Sequence, residues 1–241
     1  MAAPAIGKRR RWTPPVTAKV DRSHPIAANL VAAYLPIPGT GAIDLARSEN
    51  LALLGAPTRG ATPFGNGMVN VAGNDGASNV IGSTDPMSLQ PPITLMWVGT
   101  FQSAPAANAA IFGCSSSNAD LPPYHAYMII VNASSNAGAF ANDSGVNVQT
   151  GYTTITLGVP HVYIATFTPA ALTFYADGVA TTPGAAVSVI TYTATSTLGF
   201  NYYPTARATN STANFGAIWN RELSASEISA LTADPFQMLR W

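Results

Sequence analysis

The chain has 241 residues, 47% of them hydrophobic, only 9% charged, and a formal net charge of zero. That length suffices for one β-sandwich domain to bury a core unaided. The single cysteine, Cys114, excludes an internal disulfide and a cysteine-rich zinc cluster, and the run Phe112-Gly113-Cys114-Ser115-Ser116 offers no cation or base to activate it, so it reads as a small buried residue. An ordinary soluble domain carries roughly 25% charged residues, so solvation here falls to Ser, Thr, Asn and Gly. Such a weakly repelling surface suits an assembled or extracellular protein, and homo-oligomerisation is expected.

The charge is unevenly placed. Lys8, Arg9, Arg10, Arg11, Lys19 and Arg22 are six of the eleven basic residues, and Asp21 is the only acid among the first 22 positions. That segment carries +5 and the remainder −5. Pro4, Pro14, Pro15 and Pro25 keep residues 1–25 extended. Trp12, Val16 and Ile26 add apolar surface. The segment reads as a basic anchoring arm, with Lys8, Arg9, Arg10, Arg11, Trp12, Lys19 and Arg22 as its partner-binding residues. The partners expected are proteins of an assembly; the body of the chain continues no basic patch, which argues against nucleic acid. The apolar stretch of a signal peptide does not follow the basic cluster, since Trp12-Thr13-Pro14-Pro15 stands there. No run of about 18 apolar residues predicts a membrane span.

A domain over residues 26–241 reads as short strands between Gly, Pro, Asn and Ser clusters. Residues 93–101 alternate with period two. Ile93, Leu95, Trp97 and Phe101 share one face; Thr94, Met96, Val98 and Thr100 share the other. Ala126–Val131 and His161–Phe167 are apolar on both faces and predict central strands. Another strand contains Leu172 and Phe174, followed by the two-residue hairpin signal Asp177-Gly178. Phe215, Ala217 and Trp219 mark a late strand. One helix is expected: Ser224 as N-cap and Glu227 three residues on form a capping box, with Leu223 and Ile228 as its hydrophobic staple. Pro235 stops it near Ala233.

The run Pro160-His161-Val162-Tyr163-Ile164-Ala165-Thr166-Phe167, a turn, then Leu172-Thr173-Phe174-Tyr175-Ala176-Asp177-Gly178-Val179 resembles the paired strands of laminin-G-like domains. Phe215 to Ser224, followed by Glu227-Ile228, resembles that family's closing strand and capped helix. Gly65 to Val71 and Ile93 to Phe101 match its early strands, and His24 to Tyr34 looks like the lead-in of phage-encoded members. The resemblance implies an all-β, concanavalin A-like, two-sheet antiparallel jelly roll. It also suggests a virion setting, either a head decoration or fibre protein or a tail-associated one, made in the host cytoplasm. The fold itself hosts several functions, so the site must decide among them.

Glycosidases need two carboxylates placed across a sugar. This chain has only Glu49, Glu222 and Glu227 besides eight aspartates, and no strand clusters them. A non-enzymatic structural or adhesive role is therefore expected, with a lectin-like, glycan-binding role as the alternative and a hydrolase as the lesser one. Tyr124, His125, Tyr202 and Tyr203 lie in Pro-bounded loops, as candidate contacts with a glycan or a neighbouring subunit. His24, His125 and His161 show no metal-ligand spacing, and His161 reads as a packed, hydrogen-bonded ring. Asn74-Asp75 and Asn142-Asp143 have oxygens to lend a calcium ion, but ordinary turns account for both pairs. No cofactor is expected.

Overall fold

In the computed structural model the residues described are 14–15, 17–37, 41–47, 49–51, 53–55, 58–62, 64–70, 79–83, 89–104, 108–115, 125–143, 146–187, 197–200 and 210–241. Their strands are β1 (Lys19–Val20), β2 (Leu30–Ile37), β3 (Gly41–Asp44), β4 (Glu49–Leu51), β5 (Leu53–Gly55), β6 (Thr58–Thr62) and β7 (Gly65–Asn70). Next come β8 (Asn79–Ser83), β9 (Ile93–Phe101), β10 (Ala109–Ser115), β11 (His125–Val131), β12 (Asn136–Asp143), β13 (Val146–Gln149) and β14 (Thr153–Thr154). The last are β15 (Pro160–Phe167), β16 (Leu172–Ala176), β17 (Val179–Ala180), β18 (Thr197–Phe200), β19 (Ser211–Trp219) and β20 (Leu239–Arg240). The helix α1 spans Ala225–Ala233.

Two antiparallel sheets form the sandwich. The first runs β17-β16-β15-β9-β19-β2-β3-β4, with β7 also on β19 and β6 on β7. The second runs β13-β12-β11-β10-β18-β8-β5, with β14 paired to β12 beyond the end of β13. Between them lies an aromatic core: Trp97, Phe101, Tyr163 and Phe174 from the first sheet meet Phe112 and Tyr127 from the second. Ring pairs such as Trp97–Tyr163 (5.7 Å) and Tyr127–Phe167 (5.2 Å) hold favourable tilted or offset contacts.

The faces expected on residues 93–101 are the ones observed, but both are buried. Ile93, Leu95, Trp97 and Phe101 enter the inner core, while Met96 and Val98 enter a second core on the outer side of the same sheet. There Val162, Ile164, Phe215 and Trp219 are covered by Ile228 and Leu231 of α1 and by Phe236 and Met238 after it. This third layer explains why residues 161–167 read as apolar on both faces.

The helix begins at the expected N-cap. Ser224 accepts from the Glu227 N–H and Glu227 reaches back to the Ser224 N–H, the complete capping box. Leu223 and Ile228 are both buried, as a staple requires. The hairpin at Asp177-Gly178 has positive φ at both residues (50° and 83°), as a primed turn demands.

The expected arm needs correction at its inner end. Ala18, Val20, Ile26 and Ala27 are buried in the second core, β1 pairs with β20, and Asp21 N–H donates to the Met238 carbonyl at 2.8 Å. Packed structure thus reaches back to the buried Pro14, with the Pro15 carbonyl accepting from Ala18 N–H at 2.8 Å, rather than starting at Ile26. Arg22 donates to the carbonyls of Leu30 and Ala46, so its guanidinium is bonded within its own domain. The reason is the closing C-terminal segment, which offers β1 a backbone to pair with that the local sequence does not announce. Lys19 remains exposed. Lys8, Arg9, Arg10, Arg11 and Trp12 lie outside the described residues.

Candidate functional site

Strand β12 splits its residues between two environments. Ala137, Ala139 and Ala141 enter the inner core, so Asn136, Gly138, Phe140 and Asn142 face outward. Antiparallel register then sets Gln149 beside Phe140, Asn147 beside Asn142, and Thr154 beside Asn136. An amide- and hydroxyl-bearing surface results at one edge of the second sheet.

Its centre is Tyr152. A Cβ built on Gly138 would lie 2.9 Å from Tyr152 Cδ1, 3.1 Å from Cε1 and 3.2 Å from Thr150 Oγ1. The ring therefore lies across the bare backbone of Gly138, a position no larger residue leaves open. Thr150 helps hold this turn, since its hydroxyl accepts from Ala139 N–H at 3.0 Å. Tyr152 is 37% exposed. Its hydroxyl donates to Gln149 Oε1 at 2.9 Å, and partial burial raises its pKa above the ordinary tyrosine value, keeping the phenol protonated.

The flanking amides are oriented. Asn142 Nδ2 donates to Asn147 Oδ1, and Thr154 Oγ1 donates to Asn136 Oδ1 at 3.1 Å. Asn132 caps the preceding turn, its Oδ1 accepting from the Ser134 and Asn136 N–H groups, both at 3.0 Å. The surface thus joins a fixed aromatic ring to groups that both donate and accept. Across the sheet the same row continues through Phe140, Met128, Gly113, Gly199 and Gly82. Ala110, Met128 and Ile130 form a small buried apolar cluster beside it, with Phe140 packed against them.

Of the contacts expected from sequence, Tyr124, Tyr202 and Tyr203 lie outside the described residues. His125 opens β11 opposite Asp143, in the same sheet as Tyr152. Tyr152, Asn147 and Gln149 were not anticipated. Their sequence signal is the alternation Val146-Asn147-Val148-Gln149, matched by Ala137-Gly138-Ala139-Phe140-Ala141 on the neighbouring strand.

The other residues singled out are structural. His161 is 6% exposed; its Nδ1 lies 2.7 Å from Asp177 Oδ2 and its Nε2 2.9 Å from the Thr156 carbonyl. Cys114 is buried, with Sγ 3.9 Å from the Tyr127 carbonyl. Asp44 is fully buried, accepts from Ala33 and Ala46 N–H, and pairs with Arg47 at 2.7 Å. Glu227 pairs with Arg221 at 2.6 Å. Among the described residues no group of three His, Cys, Asp or Glu side chains gathers as a metal site, and no helix is long and apolar enough to cross a membrane.

No protein-family model and no curated protein matches the sequence. Solved structures do. Domain 4 of AbnA, a GH43 extracellular arabinanase from Geobacillus stearothermophilus solved with arabinotriose, matches with TM-score 0.66 at 13% identity, over 85% of this chain and 98% of that one. The binding domain of Paraclostridial Mosquitocidal Protein 1 matches with TM-score 0.67 at 12% identity, over 88% and 53%. Trypanosoma rangeli sialidase matches with TM-score 0.60 at 17% identity, and there this chain spans only about a third of the sialidase chain (33%) while 88% of this one is covered. At such identities the likeness is one of fold: the chain is an all-β antiparallel sandwich with one short helix.

Proposed function

We propose that this protein is a non-enzymatic carbohydrate-binding module whose contact face is the outer surface of β12, β13 and β14, centred on Tyr152. The observation that carries the reading is the ring held over Gly138 with bonded amides on both sides. An aromatic face accepts the C–H side of a sugar ring, and oriented amides meet its hydroxyls. The face residues Asn136, Phe140, Asn142, Asn147, Gln149, Tyr152 and Thr154 include no carboxylate, whereas glycoside cleavage ordinarily uses two. Structures of the same fold support the reading, being solved with arabinotriose in one case and, for botulinum neurotoxin type C, described as interacting with two ganglioside molecules.

Tyr152→Ala removes a contact of the kind that contributes about 1.5–3 kcal/mol, so affinity for a glycan found on an array falls roughly ten- to a hundredfold. Tyr152→Phe keeps most of it. Titration calorimetry on the array hit reads both variants, and unchanged binding by Tyr152→Ala sinks this face. The carrier of the module, on this reading, is a phage particle, supported by the basic cluster at residues 8–11 and the lead-in at His24 to Tyr34. Mass spectrometry of purified particles checks that, and absence of stoichiometric copies overturns it.

A further inference from the structure

The described strands of the second sheet carry no lysine or arginine, whereas Arg59 lies on β6 of the first. From Gly60 to Ala206 the chain contains no lysine and no arginine, while Asp75, Asp85, Asp120, Asp143 and Asp177 fall in that span. Strands β8, β10, β11, β12, β13, β14 and β18 all lie inside it, and β5 (Leu53–Gly55) adds no charge. The described strands of the second sheet are thus built without lysine or arginine.

The described cations belong to the first sheet or to the layer over it. Lys19 and Arg240 sit on the β1–β20 pair, Arg22 and Arg47 beside β2 and β3, Arg59 on β6, and Arg221 against Glu227. Around Tyr152 the polar groups are the amides of Asn136, Asn142, Asn147 and Gln149 and the hydroxyls of Thr154 and Tyr152. Amides and hydroxyls match sugar hydroxyls one for one. A sugar carboxylate or sulfate brought to this face would lose hydration with no lysine or arginine on the described strands of this sheet to replace it.

Resting on the glycan reading of this face, we infer that its ligand is a neutral polysaccharide and that the face rejects sugars carrying uronic acid, sialic acid or sulfate. Binding is then nearly independent of salt, because screening weakens only charge–charge attraction.

The test uses the full chain and its Tyr152→Ala variant on immobilised neutral polymers (arabinan, galactan, glucan, mannan) and on uronate-, sialate- and sulfate-bearing ones. The quantity read is the Tyr152-dependent binding, the part the variant loses, which separates this face from the basic N-terminal cluster. The expected result is Tyr152-dependent binding to a neutral polymer only, changing less than about twofold between low and high salt. Asn147→Lys, which puts a cation on the same exposed strand, is expected to raise binding to acidic polymers at low salt at least about tenfold. Tyr152-dependent binding of the unaltered chain to an acidic polymer overturns the inference while leaving the glycan reading standing. Tyr152-dependent binding to no polymer overturns both.

Discussion

Gly138 and Tyr152 act as one device: the absent Cβ makes the seat and the ring fills it. His161 is the comparable device for the fold. Both of its nitrogens face acceptors, the Asp177 carboxylate and the Thr156 carbonyl, an arrangement that only the doubly protonated ring satisfies. Burial opposes that charge, but the bond to Asp177, the carbonyl of Thr156 and the Asp177 charge together outweigh it, and the pKa is raised above 6.5. The charged ring therefore contributes stability that is fully present below pH 6.5 and is lost as pH rises through the higher folded value. Urea midpoints are expected to fall over that alkaline-side window, and His161→Gln should abolish the dependence. Replacement by Ala removes a buried ring bonded at both nitrogens and costs about 1–3 kcal/mol. Flat midpoints above pH 6.5 in the unaltered protein would contradict this account.

At the scale of elements, α1 shows how one guanidinium can set a helix. Arg221 Nη1 and Nη2 donate to the two carboxylate oxygens of Glu227 at 2.9 and 2.6 Å, and its Nε donates to the Ala28 carbonyl at 2.9 Å. Thr94 adds a second tether from β9: its hydroxyl donates to the Arg221 carbonyl at 2.8 Å and accepts from Leu223 N–H at 3.1 Å. The Glu227 carboxyl is held down at about 2, first by Arg221 and then, against the opposing effect of burial, by the Ser224 bonds. A depressed acid contributes stability that is complete above its ordinary value of 4.5 and is lost as pH falls toward 2. Thermal unfolding between roughly pH 5 and pH 2, the range the two values bracket, should show a falling Tm. Glu227→Gln should lower Tm near neutrality, by about 1–2 kcal/mol of cap and ion-pair stability, and flatten the acid limb. An unchanged acid limb in that variant would show that Glu227 is not its source.

Across the whole molecule, the central strands of the first sheet are buried on both sides and the described cations lie on that sheet or in the layer over it, while the described strands of the second sheet carry no lysine or arginine. The N-terminal segment belongs to the first of these halves from Ala18 onward. Removing residues 1–13 should therefore leave Tm within about 1–2 °C, whereas removing 1–25 deletes β1, the Arg22 bonds and the buried Pro14, Ala18 and Val20. At roughly 1.5–3 kcal/mol for a buried valine and about 1 for each lost hydrogen bond, the longer truncation is expected to lower Tm by several degrees. Calorimetry of the two truncations decides it, and equal Tm values would show that the β1–β20 pair contributes nothing.

Local chemistry determined much of this protein. Period-two patterning placed residues 93–101 on two faces, continuous apolar runs marked β11 and β15 as central, Asp177-Gly178 predicted its turn, and the Ser224–Glu227 box located α1, because each signal lies within a few residues of its effect. What lies far apart in the chain was decided only by tertiary structure. The pairing of Lys19–Val20 with Leu239–Arg240, the third layer over β9, β15 and β19, and the seating of Tyr152 on Gly138 all depend on backbone brought together by folding. The face around Tyr152 was half legible: alternation in β12 and β13 sorts Asn142, Asn147 and Gln149 to one side. Only register across the strands, which no local pattern encodes, makes them neighbours.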